Sequence, residues 1–398
     1  MLRDIVIAHQ FGASEIVGAY NAAMTIPNTF ILFMLTGIKD AFVPSYLKYE
    51  SQKKGFAHLT NIVKGTFIIG LVISILGVLF SPFLISTFFP TFDSERKLAI
   101  YTSSVYFLSI FLVGVNAVYE GYFDANKKYS FSTFSQTVVV LSTIGSILFL
   151  SHFMGGYSIA FGYLMGTIIS FLIKLFYFKP QQFIYWKQKI NVDEVKRFYY
   201  VFIPVGLTTM VGQINLNISN FYAAQFGAEA ISYVNYAFRL VSIPQAFFGV
   251  TVATIIFPLI SKAKSEDNWS GFKAGIEKGL SIMFLFVSPS VAGLALLMEE
   301  IVQIVYERGA FDSVATAATS EVGYYYLGTV LFFSIQVIIA KGFYSLEKGN
   351  LILRIGIVSI FLNIIFGFLF TRWIGYKGLG LSSSVIGFIY TTLAFILL

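Results

Sequence analysis

Three basic residues do not sit in the polar turns at a membrane surface: Arg3, Lys39 and Arg239. A charge left within a membrane-spanning segment costs roughly 3 kcal/mol or more unless something pairs with it. Guanidinium groups hold phosphate oxygens in a two-pronged fork, so the arginines point to an anionic cargo, with Lys39 as a third positive charge. Arg239 lies well inside its stretch with no acid beside it in sequence. Arg3 has snorkelling to the surface as its competing role. Lys39 and Asp40 are adjacent and so leave a helix in different directions; each is expected to pair elsewhere, and a structural ion pair competes with a cargo contact. His9 and Asn28 complete the candidate substrate-binding set with Arg3, Lys39 and Arg239. Asn220, Asn363 and Asp40 are candidates for lining a hydrated cavity or coordinating a cation, and polar helix packing is the competing role for the asparagines.

The elements that carry these residues follow from the hydropathy pattern. The chain has 398 residues, of which 57% are hydrophobic and 12% charged. Apolar stretches near 15–44, 62–89, 98–123, 130–151, 156–178, 197–224, 229–258, 275–304, 314–344, 351–371 and 378–398 predict an all-α polytopic membrane protein. Pro27, Pro204, Pro244 and Pro289 are expected to interrupt four of them, at places where protein or water can satisfy the released carbonyls. The opening piece, residues 1–10, reaches about 15 Å as a helix and is too short to span. It reads as a stub, or as the inside of a longer gene.

Basic residues alternate between turns. One set holds Lys48, Lys53, Lys54 and Lys64; Lys127 and Lys128; Lys174, Lys179, Lys187, Lys189, Lys196 and Arg197; Lys262, Lys264, Lys273 and Lys278; and Lys341, Lys348 and Arg354. The intervening turns hold Arg96, Lys97, Arg308, Arg372 and Lys377, with the acids Glu299, Glu300, Glu307 and Asp312. Because cytoplasmic loops carry the Lys/Arg excess, the first set and the amino terminus are expected on the cytoplasmic side. The formal charge of +7 is then a topology signal, and nucleic acid is not a partner. The absence of cysteine removes disulfides, thiolate metal sites and Cys nucleophiles, and three histidines leave little for a metal centre. Met-Leu-Arg-Asp at the start is not a cleavable signal peptide.

The two halves of the chain repeat each other. Phe11-Gly12-Ala13 recurs as Phe226-Gly227-Ala228, Pro44 and Lys48 as Pro258 and Lys262, and Lys64-Gly65 as Lys278-Gly279. Further on, Phe92-Asp93 recurs as Phe311-Asp312, and Glu120-Gly121-Tyr122-Phe123 as Lys341-Gly342-Phe343-Tyr344. Parallel repeats of about six helices each, around a central cavity, are a transporter architecture that works by rocking. The expected division is an N-terminal lobe at 1–180, a cytoplasmic linker at 181–195 and a C-terminal lobe at 196–398. Duplication in a channel or scaffold protein is the competing reading.

The stretches Leu2-Arg3-Asp4-Ile5-Val6-Ile7-Ala8-His9-Gln10-Phe11-Gly12-Ala13-Ser14, Ile26-Pro27-Asn28 and Ala41-Phe42-Val43-Pro44 resemble the first helices of the MurJ/MviN family. So, in the same order, do Gln213-Ile214-Asn215, Tyr236-Ala237-Phe238-Arg239-Leu240, Ile243-Pro244, Pro258-Leu259-Ile260-Ser261-Lys262, Arg308-Gly309-Ala310-Phe311 and Gly342-Phe343-Tyr344. The family belongs to the multidrug, oligosaccharidyl-lipid and polysaccharide exporters. The resemblance implies a flippase for lipid II, the undecaprenyl-pyrophosphate-linked peptidoglycan precursor, with essential arginines that match Arg3 and Arg239. It also implies fourteen helices, the last two forming a groove for the lipid tail, whereas this sequence stops after the twelfth.

The sequence departs from the family pattern at His9, Gly18, Ile31, Leu32, Thr36 and Phe238, and Lys39 is placed to replace basic charge lost at Ile31 and Leu32. A flippase for another polyprenyl-linked saccharide of capsule, exopolysaccharide or teichoic type is the first alternative. A cation-coupled drug exporter, which needs an anionic pocket, is the second. An enzyme such as a lipid-dependent glycosyltransferase needs a catalytic acid or metal at a surface loop, and the acids near 299–312 have no histidine beside them. The expectation is a non-enzymatic, monomeric, multi-pass protein of the bacterial cytoplasmic membrane. It needs no cofactor or metal and is driven by membrane potential or by Na+ or H+.

Overall fold

The computed structural model describes residues 1–92, 94–177, 186–187 and 189–398. Asp93 of the repeat and residues 181–185 and 188 of the expected linker lie outside the described residues. Among those described there are helices and turns but no strand. The helices are α1 (Leu2–Phe11), α2 (Glu15–Glu50), α3 (Gly55–Phe88), α4 (Arg96–Ala125), α5 (Tyr129–Met154) and α6 (Tyr157–Tyr177). Then follow α7 (Val192–Ala223), α8 (Ala228–Val241), α9 (Val250–Ser265), α10 (Trp269–Tyr306), α11 (Ser313–Ser345), α12 (Gly349–Ile374) and α13 (Gly378–Leu397). Nine helical stretches among the described residues are long and apolar enough to cross a membrane, and one of them, Gly349–Leu397, holds both α12 and α13. The protein is an all-α, multi-pass membrane protein.

The helices are amphipathic in the sense that lipid demands. On α3 the buried stripe is Thr66, Gly70, Ser74, Gly77, Ser81 and Ile85, while Phe67, Ile68, Val72, Ile75, Leu76, Leu79, Phe80 and Phe83 face outward. On α12 the buried stripe is Gly356, Ser359, Asn363, Gly367 and Thr371, and Phe361, Ile364, Ile365, Phe368 and Leu369 face outward. Lipid tails are as apolar as leucine, so burying large apolar side chains gains little; close backbone packing and hydrogen bonds hold such helices together. Thus Gly70 admits the Phe111 backbone, and the Ser74 hydroxyl accepts the Phe111 N–H at 3.2 Å. Likewise Ser384 of α13 donates to the Tyr325 carbonyl at 2.6 Å on α11.

Of the four prolines expected to interrupt spans, Pro27, Pro204 and Pro289 sit inside α2, α7 and α10. The stretch 229–258 does divide: α8 stops at Val241 and a π-turn at Gln245–Gly249 leads into α9. Pro244 lacks the N–H that would reach back to Leu240, which is the physical cause of the division.

The repeat is written in the backbone. Left-handed residues occur at Gly12 and Gly227, Lys53 and Asp267, Lys127 and Glu347, and Gly155 and Gly375. In the turns at Lys53, Lys127, Asp267 and Glu347 the same two hydrogen bonds recur, for example Lys127 N–H to the Asp124 carbonyl and Lys128 N–H to the Phe123 carbonyl. This is the Schellman arrangement that ends a helix on a left-handed residue. It pairs Phe123 with Phe343, since Lys348 N–H bonds the Phe343 carbonyl. The alignment of Glu120–Phe123 with Lys341–Tyr344 read from sequence is therefore one residue out of register: chemical likeness favoured the wrong match, and equivalent turn bonds correct it.

Two compact units result. One is built from residues 19–214, the other chiefly from residues 3–18 and 215–398. Helices α2 and α7 each contribute to both, changing unit after Gly18 and after Ile214.

Candidate functional site

Arg3 and Arg239, far apart in sequence, converge on one acid. Asp4 lies in the first turn of α1 and Arg239 in the last turn of α8, where the helix dipoles favour an acid and a base respectively. The Asp4 side chain is 8% exposed; its Oδ1 is bonded by Arg239 Nη1 and lies 3.4 Å from Arg3 Nη2. The chain's amino group is 3.2 Å from Oδ2. Arg3 and Arg239 are 23% and 25% exposed. Two guanidinium groups and one carboxylate leave a formal charge of +1 among these three side chains. Such a cluster suits a dianionic or polyanionic group, whose oxygens accept from forked N–H donors.

No acid stands beside Arg239 in the chain, and its partner comes from α1. The signal was present in Asp4 itself, a carboxylate in an otherwise apolar opening helix that needs a cation as much as the arginines need an anion.

Lys39 belongs to a different arrangement, within the unit built from 19–214. Its ammonium is 2.9 Å from Asp124 Oδ2, 3.9 Å from Glu120 Oε2 and donates to Ser132 Oγ at 3.0 Å. Glu120, 3% exposed, also accepts from Lys174 at 2.9 Å, Ser135 at 3.0 Å and Gln136 at 2.9 Å. Lys174 in turn donates to Asn116 Oδ1 at 2.9 Å. The sequence assigned Lys174 to a cytoplasmic turn; it lies within α6 and is fully buried. Its acid partner comes from α4, which packs against α6; no local pattern records this, although Glu120 inside the stretch 98–123 is itself an intramembrane charge in need of a partner. Asp40 is exposed, and the ion pairs of its neighbour Lys39 go to Asp124 and Glu120.

The remaining candidates make packing bonds. Asn28 donates to Gln213 Oε1 at 3.2 Å. Asn220 Oδ1 accepts from Asn235 at 2.9 Å. Asn363 donates to the Asn215 carbonyl at 2.8 Å, and Asn215 donates to Ser359 Oγ at 3.1 Å. His9 is exposed; its carbonyl accepts the Ala310 N–H at 2.9 Å. No cluster of three or more His, Cys, Asp or Glu fit to hold a metal occurs among the described residues.

A buried histidine–carboxylate hydrogen bond lies elsewhere in the unit built from 19–214. His58, 1% exposed, lies between the rings of Phe42 and Tyr49 and bonds Glu194 at the start of α7. Asn61, one turn on, donates to Glu194 Oε2 at 2.9 Å and accepts the Asn191 N–H at 2.9 Å. These bonds tie the beginning of α7 to α3.

The family model described as Lipid II flippase MurJ matches residues 7–398. The lipid II flippase MurJ of Burkholderia cenocepacia is 24% identical over 97% of this chain and 77% of its own length. The probable lipid II flippase MurJ of Aquifex aeolicus is 27% identical over 98% of this chain and 79% of its own. A solved structure of lipid II flippase MurJ in an inward closed conformation superposes with a TM-score of 0.86 at 25% identity, covering 99% of this chain and 84% of that one. The match spans both repeats and includes α8 with Arg239, and on it the chain belongs to the MurJ family of lipid II flippases.

Proposed function

We propose that the protein moves lipid II, a polyprenyl-pyrophosphate-linked saccharide, across the bacterial cytoplasmic membrane by alternating access, with Arg3 and Arg239 receiving the pyrophosphate. The observation that carries the reading is the convergence of these two guanidinium groups on Asp4 in a chain of this family. A pyrophosphate crossing the membrane loses its hydration, and fixed guanidinium donors replace the lost water contacts at the depth where water is scarce. The binding energy must stay modest, because a head group held too tightly on one side is not released on the other. The protein acts as a transporter, with its amino terminus and basic turns in the cytoplasm and with membrane potential or a Na+ or H+ gradient as the driving force.

The test is reconstitution into liposomes with a fluorescent lipid II and an impermeant reagent that reports only outward-facing head groups. Protein-dependent exposure of the head group, faster under an imposed potential or ion gradient, is the expected result. Proteoliposomes that translocate no faster than empty vesicles under any gradient would refute the reading. Translocation of a different polyprenyl-pyrophosphate saccharide alone would reassign the cargo while keeping the arginine site.

A further inference from the structure

Helix α1 carries Arg3 and Asp4, and its C-terminal end, at Phe11, is tied to the turn between α10 and α11. Its last carbonyls have no partner within the helix. One of them, on His9, accepts the Ala310 N–H at 2.9 Å from the turn between α10 and α11. Two left-handed glycines interlock at this point. Gly309, at φ 63°, leaves the space of a side chain to the ring and carbonyl of His9. Gly12, at φ 66°, leaves its space to the carbonyl of Ala310. A Cβ on either would fall within the van der Waals radius of the opposing turn.

The same contact reaches α8. Phe311, buried, packs on Tyr236 and Tyr306 with ring centres 5.5 Å and 5.6 Å apart. The Tyr236 hydroxyl donates to the Gly12 carbonyl at 3.2 Å, and Ser232 donates to the Ser14 carbonyl at 3.2 Å. Tyr236 precedes Arg239 by three residues, so both project from one side of α8. The repeat supplies an internal control: Gly227, the counterpart of Gly12, has φ 102° but nothing within 4 Å of the position a Cβ would take. The turn alone therefore accounts for Gly227, whereas Gly12 also answers to a close approach that the second repeat lacks.

We propose that Gly12, Gly309, His9 and Tyr236 form a clasp of positioning residues that sets α1 against α8, so that Arg3 and Asp4 meet Arg239 in register for the cargo's pyrophosphate. The pyrophosphate part of this proposal rests on the function proposed above; the register part stands on the contacts alone.

The chain has no cysteine, so a reporter pair is clean. In the full-length protein, Asp4→Cys with Arg239→Cys is cross-linked by a short thiol reagent in the parent background and in Gly12→Ala, Gly309→Ala, Tyr236→Phe and Gly227→Ala. Efficient cross-linking in the parent and in Gly227→Ala, with severalfold loss in the three clasp variants, is expected. In the matching variants with both arginines intact, the dissociation constant for undecaprenyl pyrophosphate should rise about tenfold for Gly309→Ala and Gly12→Ala, with a smaller rise for Tyr236→Phe. Gly227→Ala, which bears comparable backbone strain without the clash, should stay near the parent. Membrane abundance and thermal unfolding are followed in parallel, and Tyr236→Phe, which removes only a hydroxyl, serves if a glycine variant does not fold. Undiminished cross-linking in Tyr236→Phe and in any folded glycine variant would overturn the clasp. Lost cross-linking with unchanged undecaprenyl pyrophosphate binding would leave the register role standing and overturn the arginine cluster as the head-group site.

Discussion

Replacing Arg239 with alanine removes one of the two guanidinium groups that share Asp4, and the structure lets the consequence be apportioned. Stripping a buried carboxylate of its only partner costs about 3–5 kcal/mol. Asp4 keeps Arg3 at 3.4 Å and the amino group at 3.2 Å, each an opposite unit charge attracting by about 5 kcal/mol at an effective dielectric constant near 20, before desolvation takes back most of it. Both arginines are about a quarter exposed, so solvent screens what remains. The stability cost of Arg239→Ala is therefore about 1–2 kcal/mol, and the protein should still insert. Head-group binding is a different matter. Losing two charge-assisted hydrogen bonds to phosphate, worth about 3 kcal/mol together, weakens binding by about 100-fold. Arg239→Lys should recover part of this, since an ammonium keeps the charge without the fork. Asp4→Asn raises the formal charge among the three side chains from +1 to +2 and should bind undecaprenyl pyrophosphate at least as well as the parent. Combining Asp4→Asn with Arg239→Ala should restore stability and leave binding weak. The assay is undecaprenyl pyrophosphate binding by purified protein alongside its thermal unfolding. A stable Arg239→Ala variant that binds within about threefold of the parent would refute the cargo assignment, and recovery of binding in the double variant would show that Arg239 serves only Asp4.

Two further outcomes are expected. Lys174→Met leaves Glu120 buried with Lys39 at 3.9 Å as its remaining ammonium partner, and should destabilise by about 3 kcal/mol in thermal unfolding; adding Glu120→Gln should recover much of the loss, and a Lys174→Met variant as stable as the parent would sink the network. Single cysteines at Lys53 and Lys189 should react with an impermeant maleimide only after permeabilisation or in inside-out vesicles, and labelling of both in intact cells would reverse the orientation read from the basic turns.

The fold was legible where it depends on periodicity and length. Apolar stretches of span length gave the helices, and the repeats Phe11-Gly12-Ala13 and Phe226-Gly227-Ala228 gave the duplication, because left-handed turns at the ends of helices demand glycine in both copies. The division at Pro244 was legible too. The survival of α2, α7 and α10 across their prolines was not, since neighbouring helices decide whether a freed carbonyl finds a partner. Arg3 and Arg239 announced themselves by being charged in apolar surroundings. Their shared Asp4, and the pairing of Lys39 with Asp124 and of Lys174 with Glu120, depend on which helices pack together. A single sequence carries that information only as the weak rule that a buried charge has a partner somewhere.

What the two repeats share and do not share bears on why the first one keeps a buried ion network. The register fixed by Lys127 and Glu347, and by Gly155 and Gly375, pairs Glu120, Ser135, Ser170 and Lys174 with Ala340, Ile355, Tyr390 and Ala394. In the second repeat Ile355, Tyr390 and Ala394 pack with Ile339 and Phe343 as an apolar cluster. Two sets of helices with equivalent turns thus hold together by opposite means, so the backbone geometry does not require the ions. Replacing buried ion pairs by apolar residues of similar volume is often neutral or stabilising, which argues that stability alone does not account for them either. What the network does add is local: two ammonium groups, Lys39 and Lys174, are matched by two carboxylates, Asp124 and Glu120. At Arg3 and Arg239 two guanidinium groups share a single carboxylate. On the function proposed above, matching charge at one place and leaving an excess at the other is the distribution expected to favour an anion at the arginines over Lys39.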